Sequence, residues 1–211
     1  QIPDAGDYLS PDIVGEPILV VRDQQHEVRA FSASCQHRGT RIVPANSSGN
    51  CKACRCPYHG WTYSLQGNLL AAPEMKQTNG FQPAEYGLVP VRLESWDGFL
   101  FVNFDPESVS LGEFLGDLPT RLANYWLSNM VTTHLMTYDV QCNWKIYVEN
   151  AMEVYHVPTV HGRSIQTYAP TTAWVAEDGK GSYNFLYGTH PPGSLALLGG
   201  DKGFPFIETL G

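Results

Sequence analysis

At 211 residues the chain is long enough for two modest domains, each able to bury a core. Charged residues are 16 % of the chain and aromatic residues 12 %, which excludes a disordered or fibrous protein. A net charge of -8, with 13 scattered Lys and Arg, argues against a nucleic-acid partner, and no apolar run approaches the roughly 18 to 20 residues needed to span a membrane.

In chain order, the first half is a series of short β-like runs separated by turn residues, the pattern of a small all-β domain. Residues 17–22 and 26–31 are expected to pair as a hairpin across Asp23-Gln24-Gln25. Residues 61–64 and 68–70 make a second hairpin with Gly67 in its turn, and residues 89–94 and 99–104 a third, turning at Asp97-Gly98. Between the first two lies a loop from Ser32 to Gly60 that holds four of the five cysteines. A loop of that length inside a compact domain usually serves a ligand.

After Asp105-Pro106 the pattern changes, which divides the chain into domains at 1–106 and 107–211. Residues 111–127 carry roughly helical spacing interrupted at Pro119, and residues 131–140 read as a strand. A mostly buried helix is expected from its N-cap Asn143 to about Val157, with Pro158 ending it. Residues 174–187 read as a hairpin turning at Asp178-Gly179. The chain starts at Gln1 and stops at Gly211 without an initiating or terminating pattern, so a fragment is expected.

Cys35-Gln36-His37 and Cys56-Pro57-Tyr58-His59 are two Cys/His pairs on short turns that the intervening chain can fold together. Four such donors make a metal site. Tetrahedral zinc sites commonly pair Cys with Cys and His with His, whereas each arm here offers one thiolate and one imidazole. Mixed arms suit two irons, one held by two thiolates and the other by two imidazoles. Gly39 and Gly60 let the backbone approach the cluster, where amides are expected to donate to its sulfurs. Cys51 and Cys54 are read as free thiols on the same loop, and Cys142 as a small buried side chain. Metal ligation rather than a disulfide framework fits a reducing cytoplasm.

On the expected helix, Glu149, Glu153 and His156 fall on one side, a carboxylate face that asks for a partner. Past Pro158 a turn can return His161 to His156. Two histidines plus a carboxylate from elsewhere make the facial triad of non-haem Fe(II) oxygenases, which leaves positions open for dioxygen.

The strings 35–39 and 56–61 closely resemble the Rieske motif of non-haem iron oxygenases, and residues 143–161 resemble the catalytic motif of the α subunit of that family, the aromatic-ring-hydroxylating dioxygenases. Respiratory Rieske proteins carry an extra cysteine in each arm, where this chain has Thr40 and Tyr58. The resemblance implies an α+β protein: an all-β Rieske domain of small antiparallel sheets, then part of an α+β catalytic domain, an antiparallel sheet with helices. It implies Cys35, His37, Cys56 and His59 as ligands of a 2Fe-2S cluster, and His156 and His161 as ligands of a mononuclear Fe(II) whose third ligand lies beyond Gly211. Glu153 takes the place of the acidic residue that links the Rieske histidine of one subunit to the iron histidine of its neighbour. In most of the family that residue is aspartate; some members acting on quaternary ammonium compounds use glutamate.

The same resemblance implies an oxygenase component that uses O2 to hydroxylate, dihydroxylate or demethylate a small organic substrate. NAD(P)H would supply electrons through a flavin reductase or ferredoxin, to a cytoplasmic homotrimer with no membrane and no nucleic-acid partner. Two rivals stand beside it: a Rieske-type electron carrier, and a cluster-binding fragment without turnover. Residues after 106 separate them, because a carrier has no use for a Glu-x2-His-x4-His face. Tyr155, Tyr168 and Trp174 are candidates to line a substrate pocket or a core, while His26, His134 and His190 are read as structural or surface residues. Glu177, Asp178, Asp201 and Glu208 are read as solvated.

Overall fold

The run Ile18-Leu19-Val20-Val21 is apolar at every position because its strand is covered on both faces. Successive side chains of a strand point to opposite sides, so Leu19 and Val21 join Phe31, Ala33 and Trp61 in one core while Ile18 and Val20 join Ile2 and Ala30 in another. A computed structural model of the chain describes residues 1–188, leaving out the Tyr168 side chain.

The first of two compact units comprises Gln1–Ser95 and Leu100–Ser108. Its strands are β1 (Asp7–Ser10), β2 (Asp12–Ile13), β3 (Glu16–Arg22), β4 (Val28–Ser32), β5 (Ser47–Asn50), β6 (Cys54–Arg55), β7 (Thr62–Tyr63), β8 (Leu69–Ala71), β9 (Pro90–Trp96) and β10 (Phe99–Asn103). One sheet runs β10-β9-β4-β3-β1-β5, with β2 pairing β3; a small second sheet runs β6-β7-β8. All three expected hairpins form.

Asp23 fixes the first turn. Its Oδ1 accepts the amides of Gln25 and Glu27 at 2.9 and 3.0 Å, and Arg29 Nε donates to Oδ2 at 2.7 Å. Burial alone would raise the Asp23 carboxyl, but Arg29 and the two amides outweigh it and hold the group below its usual value. In the second turn Gly67 has φ +87°, and a Cβ there would meet Phe31 Cε1 at 2.5 Å.

Strands β1, β2, β5 and β6 lie in stretches read as loop or left unassigned. β5 is Ser-Ser-Gly-Asn, with no apolar residue to announce it, and it is held by its backbone register against β1.

The second unit comprises Trp96–Phe99, the tip of the β9-β10 hairpin, and the chain from Val109 onward. Helix α1 (Leu111–Leu115) is capped by Ser110 Oγ, which accepts the Glu113 amide. Helix α2 (Leu118–Leu122) carries Pro119 in its first turn, where the missing N–H costs nothing, so the proline starts a helix rather than interrupting one. Residues 131–140 form no strand; their apolar side chains, Leu135 at 83 % exposure among them, have no sheet partner among the described residues.

Helix α3 (Trp144–Ala151) starts as expected, with Asn143 Oδ1 accepting the Lys145 amide at 3.0 Å, but it ends six residues early. A separate helix α4 (Val157–Val160) follows, with Pro158 in its first turn. Nor is α3 buried: Trp144, Ile146 and Tyr147 are each at least 60 % exposed. Cys142, expected to be buried, is exposed too.

Helix α5 (Ile165–Tyr168) precedes the antiparallel hairpin β11 (Trp174–Asp178) and β12 (Asn184–Gly188). This hairpin is tied to α2: Arg121 bridges Asp117 and Glu177 at 3.1 and 2.9 Å, and the Tyr183 hydroxyl donates to Asp117. Glu177 is therefore an ion-pair partner rather than merely solvated. Asp201, Glu208 and His190 lie outside the described residues. Among the described residues no helix is long and apolar enough to cross a membrane.

Candidate metal centres

The two Cys/His arms are built alike. In the first, the Cys35 amide donates to the Thr40 carbonyl at 2.9 Å and the Gly39 amide returns to the Cys35 carbonyl at 2.8 Å. In the second, the Cys56 amide donates to the Trp61 carbonyl at 2.8 Å and the Gly60 amide to the Cys56 carbonyl at 3.1 Å. Each closes a tight turn, and Gly39 and Gly60 adopt φ +70° and +73°, a region that favours glycine. Their amides donate to the cysteine carbonyls and so close the two turns.

Both thiols are 3 % exposed, and the His37 and His59 rings meet with centroids 4.6 Å apart. The indole of Trp61, itself 2 % exposed, stacks on His37 at 4.9 Å and 8°. Tyr58 lies against His59 at 3.7 Å, and both are open to solvent. Burial, then the neighbouring His59 and Arg38, pushes the His37 pKa down, so the imidazole is held neutral.

His37 Nδ1 is buried without a hydrogen-bond partner. Such a nitrogen is costly unless something else takes its lone pair. Two buried thiols and an orphaned imidazole nitrogen fit a group that binds thiolate and neutral imidazole. Among the described residues no three His, Cys, Asp or Glu side chains converge on one ion; a two-iron cluster divides its four donors two and two.

Sequence reading missed Tyr63. Its hydroxyl lies 3.2 Å from Cys35 Sγ and accepts the Gln36 amide at 3.0 Å. The available signal was period-two burial: Trp61, Tyr63 and Leu65 all face the core, and a tyrosine hydroxyl there needs a partner.

The second set of donors brackets α4. His156 precedes the helix and His161 follows it, with ring centroids 5.4 Å apart. Because α3 ends at Ala151, Glu153 shares no helical face with Glu149; it lies in the intervening turn. Its Oε1 is bonded to His156 Nδ1, and its Oε2 accepts the amides of Tyr155 and His156. The His156 bond, with the two amides, holds the Glu153 carboxyl below the ordinary range. Tyr155, at 93 % exposure, lines no core among the described residues.

Residues 1–90 match the Rieske 2Fe-2S domain family, and residues 127–201 match the ring-hydroxylating α subunit catalytic domain. The chain belongs to the Rieske non-haem iron oxygenase α-subunit family. It is 37 % identical over 161 residues to the glycine betaine monooxygenase oxygenase subunit of Chromohalobacter salexigens, covering 76 % of this chain and 36 % of that one. It is 32 % identical over 170 residues to the biphenyl 2,3-dioxygenase α subunit of Rhodococcus jostii, covering 75 % and 36 %. A solved quaternary ammonium Rieske monooxygenase superposes with a TM-score of 0.82 at 25 % identity, covering 90 % of this chain and 53 % of that one. The chain thus matches little more than a third of the length of these curated relatives. The Rieske oxygenase family is one of a 2Fe-2S cluster and a mononuclear iron.

Proposed function

We propose that the whole protein is the oxygenase component of a Rieske non-haem iron system acting on a quaternary ammonium compound. The carrying observation is the pair of Cys/His turns, with both thiols buried and His37 Nδ1 buried without a hydrogen-bond partner, in one chain with the His156/His161 pair. When bound, the metals supply one-electron storage and the activation of dioxygen. Cys35 and Cys56 are the thiolate ligands and His37 and His59 the imidazole ligands of the cluster.

His156 and His161 hold the mononuclear iron, with the third ligand supplied from outside the described residues. Glu153, bonded to His156 Nδ1, leaves Nε2 as the lone-pair nitrogen and fixes the ring's orientation. It also takes the place of the residue that links neighbouring subunits in a homotrimer. Residues 1–106 are the Rieske domain and 107–211 the N-terminal portion of the catalytic domain. A flavin reductase or ferredoxin fed by NAD(P)H is the electron donor, in the cytoplasm.

The substrate class is supported by glycine betaine in the name of one relative, by the quaternary ammonium monooxygenase among the structural neighbours, and by glutamate at position 153. The test is turnover by the full-length protein with a compatible reductase, following O2 uptake and NAD(P)H oxidation with glycine betaine, carnitine and biphenyl offered separately. Formation of a dealkylated or hydroxylated amine supports the reading. A dihydrodiol from biphenyl, with no amine oxidised, moves the protein to the ring-hydroxylating branch. Cluster reduction with no substrate oxidised restores the electron carrier.

A further inference from the structure

Two thiols that the proposed cluster does not use face each other on the approach to its second arm. Cys51 Sγ and Cys54 Sγ are 3.8 Å apart. Both backbones are anchored. The Cys51 amide donates to the Gly6 carbonyl at 2.9 Å, and Cys54 is registered opposite Tyr63 in the small sheet. Cys54 is 3 % exposed whereas Cys51 is only half-buried, so one thiol meets solvent and the other is shut in the core. A disulfide is about 2.05 Å long, so bonding asks the sulfurs to approach by roughly 1.8 Å. Both are free cysteines, so chemistry between the two sulfurs is open to them.

We propose that Cys51 and Cys54 form a reversible thiol–disulfide site, with Cys51 the attacking thiol and Cys54 the resolving one, oxidised by a small-molecule disulfide such as oxidised glutathione. The Cys51 sulfur attacks one glutathione sulfur, forming a mixed disulfide and releasing one glutathione. The Cys54 sulfur then displaces the second glutathione from Cys51, and the Cys51–Cys54 bond forms. Two protein thiols lose two electrons and two protons, and one glutathione disulfide becomes two glutathione thiols. The bond ties the end of β5 to β6 two residues ahead of Cys56. Its strand partner Tyr63 is the residue whose hydroxyl touches Cys35 Sγ, so closure bears directly on the arms that hold the cluster.

Lys52 and Arg55 make the test direct, because trypsin cuts between the two cysteines. The full-length holoprotein is equilibrated anaerobically with oxidised glutathione, its free thiols are alkylated, and it is digested. The expected product is peptide 42–52 joined to Ala53-Cys54-Arg55 until dithiothreitol separates them, with cluster iron unchanged. Cys54→Ser is expected to stop at glutathione on Cys51, and Cys51→Ser to acquire neither bond. Wild-type protein in which both cysteines stay alkylatable overturns the proposal, as does glutathione retained on Cys51 with Cys54 free. Loss of cluster iron from reduced Cys51→Ser also overturns it, by making Cys51 a ligand. The peptide map reads the thiols whatever substrate the turnover assay finds.

Discussion

The two groups of candidate ligands are built on opposite plans. The Cys/His arms are long-range constructions: their donors come from turns about twenty residues apart, and Trp61, Tyr63 and the surrounding core hold them in place. The His156/His161 pair is a local construction, set by the pitch of one short helix and by Glu153 three residues away, on a segment where Val157 is buried but Tyr155 and Val160 are exposed. A site braced by a core is complete in its own unit. One set by local geometry has its spacing before it has its surroundings.

The sharpest test of that contrast is a crossed pair of variants in the full-length protein. Cys35→Ser is expected to remove the whole cluster, dropping both iron and sulfide by two per chain and turnover to background. His156→Ala is expected to abolish turnover while the cluster's sulfide and visible spectrum stay in place. A His156 variant that also loses the cluster would break the comparison, because the two sites would then share their support.

The next effect is on packing. Trp61→Ala is expected to cost about 3–5 kcal/mol in denaturant unfolding, since it empties a buried site against His37. In the 211-residue chain Trp144→Ala, 68 % exposed in wild type, is expected to stay within about 0.5 kcal/mol. Equal losses would mean that α3 is as well packed as the cluster arms.

Smaller still is Asp23→Ala, expected to cost about 2 kcal/mol at neutral pH by stripping Arg29 and two turn amides of their acceptor. Its folded pKa is depressed, so its contribution is complete above the unfolded value of 3.8 and is lost as pH falls through the lower folded value. Wild type and variant should therefore converge in acid unfolding once pH falls below that folded value. The smallest expected change is Tyr63→Phe, which removes the hydroxyl at Cys35 Sγ. Voltammetry should show the cluster potential falling by about 40 mV, the one-electron equivalent of roughly 1 kcal/mol.

The three N-terminal hairpins and the one at residues 174–188 were legible because each couples alternating or continuous apolar residues to a turn with Gly or Asp in place. β5 was not, because Ser47–Asn50 has no apolar residue and is recruited through backbone pairing with β1. Residues 131–140 misled in the other direction. Their apolar content suits a strand, but a strand needs a neighbour to bond with, and among the described residues none is paired to them. Helix α3 failed the same way at its C-terminal end. The apolar residues continue past Ala151, while Glu153 accepts the amides of Tyr155 and His156 and turns the backbone aside.

Taken alone, the sequence determined what depends on near neighbours: the Cys-x-His and Cys-x2-His spacings, the glycines that close each arm, and the four-residue gap between His156 and His161. Tertiary structure alone decided what depends on distant chain segments meeting. It stacked Trp61 on His37, set Tyr63 against Cys35 and left His37 Nδ1 buried without a partner. Turn geometry is written in a few consecutive residues. A side chain's partner across a core depends on which strands pair and in what register.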